Sequence, residues 1–165
     1  MSQPETALAA GTPAPDFTLR ATPDQNVSLS ELRGHPVVLI FYPADWSPVC
    51  TDELRVFNQL LPEFQRMDAI VLGISVDGVW SHSAFADARH LHFQLLADFE
   101  PKGKVSREYG VYREKEGSSA RATFVVDKDG VIAWSEVSPV GINPGAAGPL
   151  EAVEKLSEQT AGALA

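Results

Sequence analysis

The sequence predicts an α/β domain: a mixed central β-sheet with helices on both faces and a β-hairpin at its N-terminal end. Three observations predict it. Residues 37–42 (Val-Val-Leu-Ile-Phe-Tyr) and 69–76 are short apolar runs without alternation, the pattern of strands buried on both faces. A stretch with helical apolar spacing follows each run, so the two strands form a parallel pair with crossover helices. Later in the chain, residues 121–127 and 131–134 flank the turn Lys128-Asp129-Gly130, and this second hairpin adds antiparallel strands.

The elements follow in order. Residues 1–10 lack a basic region followed by an apolar stretch, so they do not read as a secretory signal. They are expected to form a flexible tail, with residues 11–165 making one domain. Gly11-Thr12-Pro13-Ala14-Pro15-Asp16 is turn material, Phe17-Thr18-Leu19 a short strand and Val27-Ser28-Leu29 its hairpin partner. Residues 30–34 read as one helical turn stopped by Gly34. From Thr51 onward, Leu54, Phe57, Leu60, Leu61 and Phe64 recur at three- and four-residue spacing and predict one amphipathic helix. Residues 79–89, 102–109 and 149–159 are expected to be helical too. The resulting order is hairpin, strand, helix, strand, two helices, hairpin, helix, which is a thioredoxin-like arrangement.

Composition narrows the function. The 165 residues include 44% hydrophobic ones, enough for a substantial core. No apolar run approaches the roughly 18 residues of a membrane span. The net charge of −9 opposes binding to nucleic acid or to anionic membranes. There is no internal repeat, low-complexity segment or dividing linker. One cysteine cannot form an internal disulfide, so the chain is not a disulfide-stapled secreted domain, and the reducing cytoplasm is the expected compartment. The sequon Asn26-Val27-Ser28 is read as chance.

That cysteine, Cys50, lies where the first buried strand ends and the long helix begins, in Pro43-Ala44-Asp45-Trp46-Ser47-Pro48-Val49-Cys50-Thr51-Asp52-Glu53. Unpaired N–H groups and the helix dipole favour a thiolate there, and a thiolate is a nucleophile. A small buried hydrophobe is the competing reading, since free cysteine is usually that. Ser47 could donate to the sulfur or to a substrate oxygen; it could equally be a helix cap. Pro43 and Pro48 stiffen the loop between them, or merely punctuate it.

These residues resemble the signature of the peroxiredoxin family, Pro-x-x-x-Thr/Ser-x-x-Cys, matched at Pro43, Ser47 and Cys50 with Ser in place of the commoner Thr. The strand before the signature, Thr51 and Glu53 after it, and the segments from Gly11 to the hairpin following Arg121 extend the resemblance across most of the chain. Its one-cysteine, alkyl-hydroperoxide-reductase-E-like members are the most similar subgroup. The resemblance implies a thiol-dependent peroxidase. Cys50 would attack hydrogen peroxide or an organic hydroperoxide, with Ser47 and the Cys50 N–H meeting the developing charge. Arg121 would supply the cation, and Glu53 would hold the network together. Arginine suits that task because it stays charged and presents a rigid fork of donors. From the residues alone, Arg121 could be a solvated strand-end charge, and Glu53 a first-turn acid favoured by the helix dipole. Trp80, in Val79-Trp80-Ser81-His82, also matches the family pattern and is expected to pack near the pocket.

No second cysteine is present to resolve the sulfenic acid that peroxide would leave on Cys50. Arg55 stands where the bacterioferritin-comigratory subgroup places its resolving cysteine, and no long C-terminal arm is expected after the last helix. An external thiol, either low-molecular-weight or from a glutaredoxin- or thioredoxin-type protein, is therefore the expected reductant. A homodimer is expected from the resemblance. Three alternatives stand beside the peroxidase: a thiol–disulfide oxidoreductase, disfavoured without a Cys-x-x-Cys pair, a peroxide sensor, and a chaperone-like protein. No cofactor and no metal are expected. His82, His90 and His92 lack a metal-binding spacing, and no phosphate-binding glycine motif occurs.

Overall fold

The sheet is organised around the apolar run that begins at Val37. A computed structural model describes residues 6–164. In chain order the elements are β1 (Thr18–Thr22), β2 (Gln25–Ser28), a 3-10 turn (Leu29–Leu32), β3 (Val37–Phe41), α1 (Pro48–Gln59), α2 (Leu61–Arg66), β4 (Ile70–Ser75), α3 (Val79–Ala88), β5 (Gln94–Ala97), α4 (Lys104–Glu108), β6 (Tyr112–Arg113), β7 (Ser118–Ser119), β8 (Arg121–Val126), β9 (Ile132–Ser138) and α5 (Ala147–Leu164). Seven strands form one sheet in the order β2-β1-β5-β4-β3-β8-β9, and β6 and β7 pair separately. β3, β4 and β5 run parallel; β1 and β8 join them antiparallel on either side.

Alternation along β3 divides the core in two. Val38, Ile40 and Tyr42 face a layer containing Leu54 and Phe57 of α1, Phe64 of α2, Phe85 of α3 and Val153 of α5. Val37, Leu39 and Phe41 face Tyr109, Val105 of α4, and Ala14 and Phe17 of the N-terminal segment. Both faces of β3 are covered, which is why its sequence is apolar without interruption. Tyr109 anchors the thinner layer. Its ring packs edge-on against Phe124 at 5.2 Å, and its hydroxyl donates to the Pro15 carbonyl at 2.7 Å.

Four expectations change. β5 was not foreseen, and it makes the parallel set three strands. It spans only four residues between the polar Arg89-His90-Leu91-His92 and Asp98, too short for a periodic signal. The single helix expected through Phe64 is two, because Pro62 has no N–H to continue the ladder and α1 ends at Gln59. The helix expected over 102–109 is reduced to the five residues of α4, entered through Gly103 at φ 73°. The tail expected over residues 1–10 lies outside the described residues up to position 5, but from Thr6 the chain is fastened to the body. The Leu8 N–H donates to the Tyr109 carbonyl at 3.2 Å, and Ser135 Oγ donates to the Leu8 carbonyl at 3.1 Å.

This topology brings three chain segments to one end of the sheet: the loops leaving the C-terminal ends of β3 and β4, and the start of β8. Ala122 pairs with Phe41, so Arg121 falls beside the point where β3 releases the chain toward Cys50. Open α/β sheets place their sites at that end. The core that holds α1 against the sheet predicts a measurable cost. Phe57 is fully buried and stacks on Phe64 at 5.9 Å. Phe57→Ala is expected to lower the unfolding free energy by about 3–5 kcal/mol in urea titration; a change below about 1 kcal/mol would contradict this packing.

Candidate active site

Cys50 is the third residue of α1, its side chain has no exposed surface, and its thiol is free. Ser47 occupies the N-cap position with extended dihedrals (φ −68°, ψ 143°), and Pro48 fills the first helical position, where a missing N–H costs nothing. Thr51 closes the first turn. Its N–H and its hydroxyl both donate to the Ser47 carbonyl, at 2.9 and 2.8 Å.

Arg121 enters from β8 and is 2% exposed. Nη2 donates to Cys50 Sγ at 3.3 Å and to the Val140 carbonyl at 2.7 Å. Nε also donates to Val140, at 3.1 Å, and Nη1 donates to Glu53 Oε1 at 2.8 Å. A guanidinium carries five N–H groups. The described bonds use four of them, the fifth being on Nη1. Glu53 is also fully buried, and its Oε2 has no hydrogen-bond partner among the described residues. Burial pushes the Glu53 carboxyl up to about 7; Arg121 opposes that rise and Glu136 of β9 adds to it. The orphaned oxygen accounts for the direction, since a carboxylate that cannot satisfy both oxygens is poorly stabilised without water.

The expected site residues are thus distributed as follows. Cys50, Glu53 and Arg121 meet in one buried cluster. Ser47 starts the helix, but its hydroxyl makes no cap bond and none of the described hydrogen bonds joins it to Sγ. Pro43, half-buried, starts the loop, and none of the described hydrogen bonds joins it to Cys50. Trp80 is not packed into the protein: it is 75% exposed on α3, beside a groove shared with Ala21, Thr22 and Pro23.

Sequence reasoning missed a second buried polar cluster next to the first. Asp45 is 7% exposed and lies within the Cys50 loop. Its Oδ1 accepts from the Tyr42 hydroxyl at 2.6 Å, and its Oδ2 accepts from Ser81 Oγ at 2.9 Å and faces His82 Nδ1 at 2.8 Å. His82 Nε2 donates to the Leu96 carbonyl at 3.0 Å. The Asp45 N–H donates to Asp77 Oδ2 at 2.8 Å, and Ser75 Oγ donates to the same oxygen. Burial, reinforced by the Asp45 charge, pushes the Tyr42 phenol well above its ordinary range, so it remains a donor. Donor atoms of Asp45, Asp77 and His82 lie within 4.8 Å of one another, a spacing a cation could use, but serines, the tyrosine and the backbone already engage those oxygens. His90 and His92 do not belong to this group. The available signal was the helical spacing: His82 stands three residues before the buried Phe85.

Comparison with known proteins agrees with this geometry. The AhpC/TSA family matches residues 10–135. Alkyl hydroperoxide reductase E of Mycobacterium tuberculosis is 42% identical over 138 residues, covering 81% of this chain and 88% of that protein. The chloroplastic peroxiredoxin Q of Triticum aestivum is 41% identical over 128 residues, covering 77% of this chain and 58% of that protein. Among solved structures, peroxidoxin BcpB from Mycobacterium tuberculosis superposes with a TM-score of 0.82 at 32% identity, over 90% of this chain and 98% of that one. The reduced 2-Cys peroxiredoxin of Plasmodium vivax shares the fold, with a TM-score of 0.84 at 24% identity, over 93% of this chain and 84% of that one. The match over residues 10–135, the relatives and the single cysteine together show that the chain belongs to the AhpC/TSA family, as a peroxiredoxin of the one-cysteine type.

Proposed function

We propose that this protein is a thiol-dependent peroxidase that reduces hydrogen peroxide or organic hydroperoxides at Cys50. The observation that carries the reading is the 3.3 Å contact between Arg121 Nη2 and Cys50 Sγ inside a buried cluster. The contact places a fixed cation beside the sulfur that reacts. The thiolate attacks one peroxide oxygen; the S–O bond forms as the O–O bond breaks. The electron pair leaves on the distal oxygen, which takes a proton and departs as water or an alcohol, leaving Cys50 as a sulfenic acid. In this scheme the Arg121 guanidinium and the first N–H groups of α1 are the donors that meet the charge on the departing oxygen.

The external thiol belongs to the same proposal. One thiol condenses with the sulfenic acid, releasing water and forming a mixed disulfide, and a second thiol reduces that disulfide. Support comes from the sequence, in which Cys50 is the only cysteine. A low-molecular-weight thiol and a glutaredoxin- or thioredoxin-type protein both fit this chemistry. A homodimer is the assembly we propose. Its support is two large exposed side chains near the start of α3, Trp80 at 75% and Phe99 at 56%, the latter beside Gly78.

Cys50→Ser is expected to abolish peroxide consumption, and Arg121→Ala to slow sulfenic acid formation by about 100-fold or more in stopped flow, the usual loss of an oxyanion donor. In mass spectrometry after one equivalent of peroxide, Cys50 gains one oxygen that added thiol removes. A wild-type oxidation rate in Arg121→Ala, or a Cys50–Cys50 dimer as the main product, contradicts the scheme. Glu53 predicts a pH signature. Its carboxyl is raised from 4.5 to about 7 on folding, so the folded state binds the extra proton between those values. This group's contribution therefore favours folding at low pH and is lost as pH rises through about 7. Glu53→Gln should flatten that part of the stability–pH curve, and an unaltered slope would remove the assignment. For the assembly, sedimentation velocity should show a dimer that Trp80→Ser/Phe99→Ser converts to monomer; a wild-type monomer at micromolar concentration would end that proposal.

A further inference from the structure

None of the described hydrogen bonds joins the cluster around Asp45 to Cys50 or Arg121, yet the cluster holds the loop that leads into Cys50. Asp45 precedes Ser47 by two residues, and the chain between them has little freedom. Trp46 is held at φ 72°, Ser47 is extended at the cap, and proline fixes the first helical position. Asp45 is held from three directions. Tyr42 donates from the end of β3, Ser81 and His82 reach it from α3, and Asp77 takes its N–H from beyond β4. α3 holds the loop a second time through Phe85, whose ring meets Trp46 edge-on at 5.1 Å.

The hydrogen bonds also fix one hydrogen of the ring. His82 Nε2 faces the Leu96 carbonyl, which only accepts, so this nitrogen carries a hydrogen. Nδ1 faces the Asp45 carboxylate at 2.8 Å and the Tyr42 hydroxyl at 3.4 Å, so the ring bridges β5 and the Cys50 loop.

Arg121 is tied by the Val140 carbonyl after β9 and by Glu53, three residues beyond Cys50 on α1. The helix that carries the sulfur is thus tied to its cation through Glu53 and to α3 through the loop before it, and the 3.3 Å between sulfur and cation depends on both ties. We propose that Asp45 and His82 are positioning residues for the peroxidase reaction: the α3–loop tie sets the register of Cys50 against Arg121. This inference rests on the peroxidase reading and adds to it the group that aligns the nucleophile.

Two reactions of the same thiol separate alignment from simple destabilisation. Attack on hydrogen peroxide requires Sγ and the guanidinium to meet the same O–O bond, whereas alkylation by iodoacetamide requires only an accessible thiolate. In His82→Gln, and in Asp45→Asn, the rate constant for Cys50 oxidation by hydrogen peroxide is expected to fall by about 10- to 100-fold, the range in which misplacement of about an ångström is felt. Alkylation should hold steady or quicken, because the loosened loop uncovers a buried sulfur. Ser81→Ala removes one partly buried donor and should shift the two rates apart in the same sense, with the melting temperature retained. It decides the matter alone if the other two variants do not fold. Unchanged peroxide rates in folded variants overturn the proposal, as does an equal fall in both rates. Failure of the wild-type thiol to react with peroxide would instead overturn the peroxidase reading and this one with it, so the two failures are distinguishable.

Discussion

Everything at the functional end of this molecule depends on keeping one guanidinium dry. Arg121 starts β8, in the body of the sheet, and a charge there has no water to solvate it. Its partners are a carboxylate from α1, a carbonyl from the segment after β9, and the thiol sulfur. Each partner comes from a different part of the chain, so satisfying the arginine holds α1, β8 and the β9–α5 connection in register. The same bonds leave the cation oriented toward Sγ. Structural and chemical roles therefore coincide in one side chain, and Glu53 bears the cost with an oxygen that finds no partner among the described residues.

The parts of the structure legible in the sequence were those with a strong local signal. The uninterrupted run of β3, the apolar spacing of α1 and the turn at Gly130 all act over a few residues, and all correspond to elements in the fold. β5 was not legible, because its strand character comes from pairing with β4 and β1 rather than from its own four residues. Pro62 was visible, but the apolar spacing across it was persuasive enough to hide a helix break.

The site divides along similar lines. Cys50 and Ser47 could be located from the loop itself, and Arg121 and Glu53 from family resemblance. Asp45 was in plain view between two prolines. Its importance lies in contacts with residues 32 and 37 positions away, and no local pattern announces those. A histidine at a buried helical position was the one accessible hint, because such a ring must find partners for its nitrogens.

The burial of Cys50 sets a condition on the second half of any catalytic cycle. A hydroperoxide is a few atoms across, but a protein thiol arrives on a surface that cannot enter the fold. For a protein thiol to reach it, the oxidised sulfur would have to come outward and the first turn of α1 to open. The frequency of that opening is a local stability, fixed by the Thr51 bonds and the loop's anchors rather than by thiol chemistry. With a protein reductant, that opening would place a ceiling on turnover that added reductant does not lift.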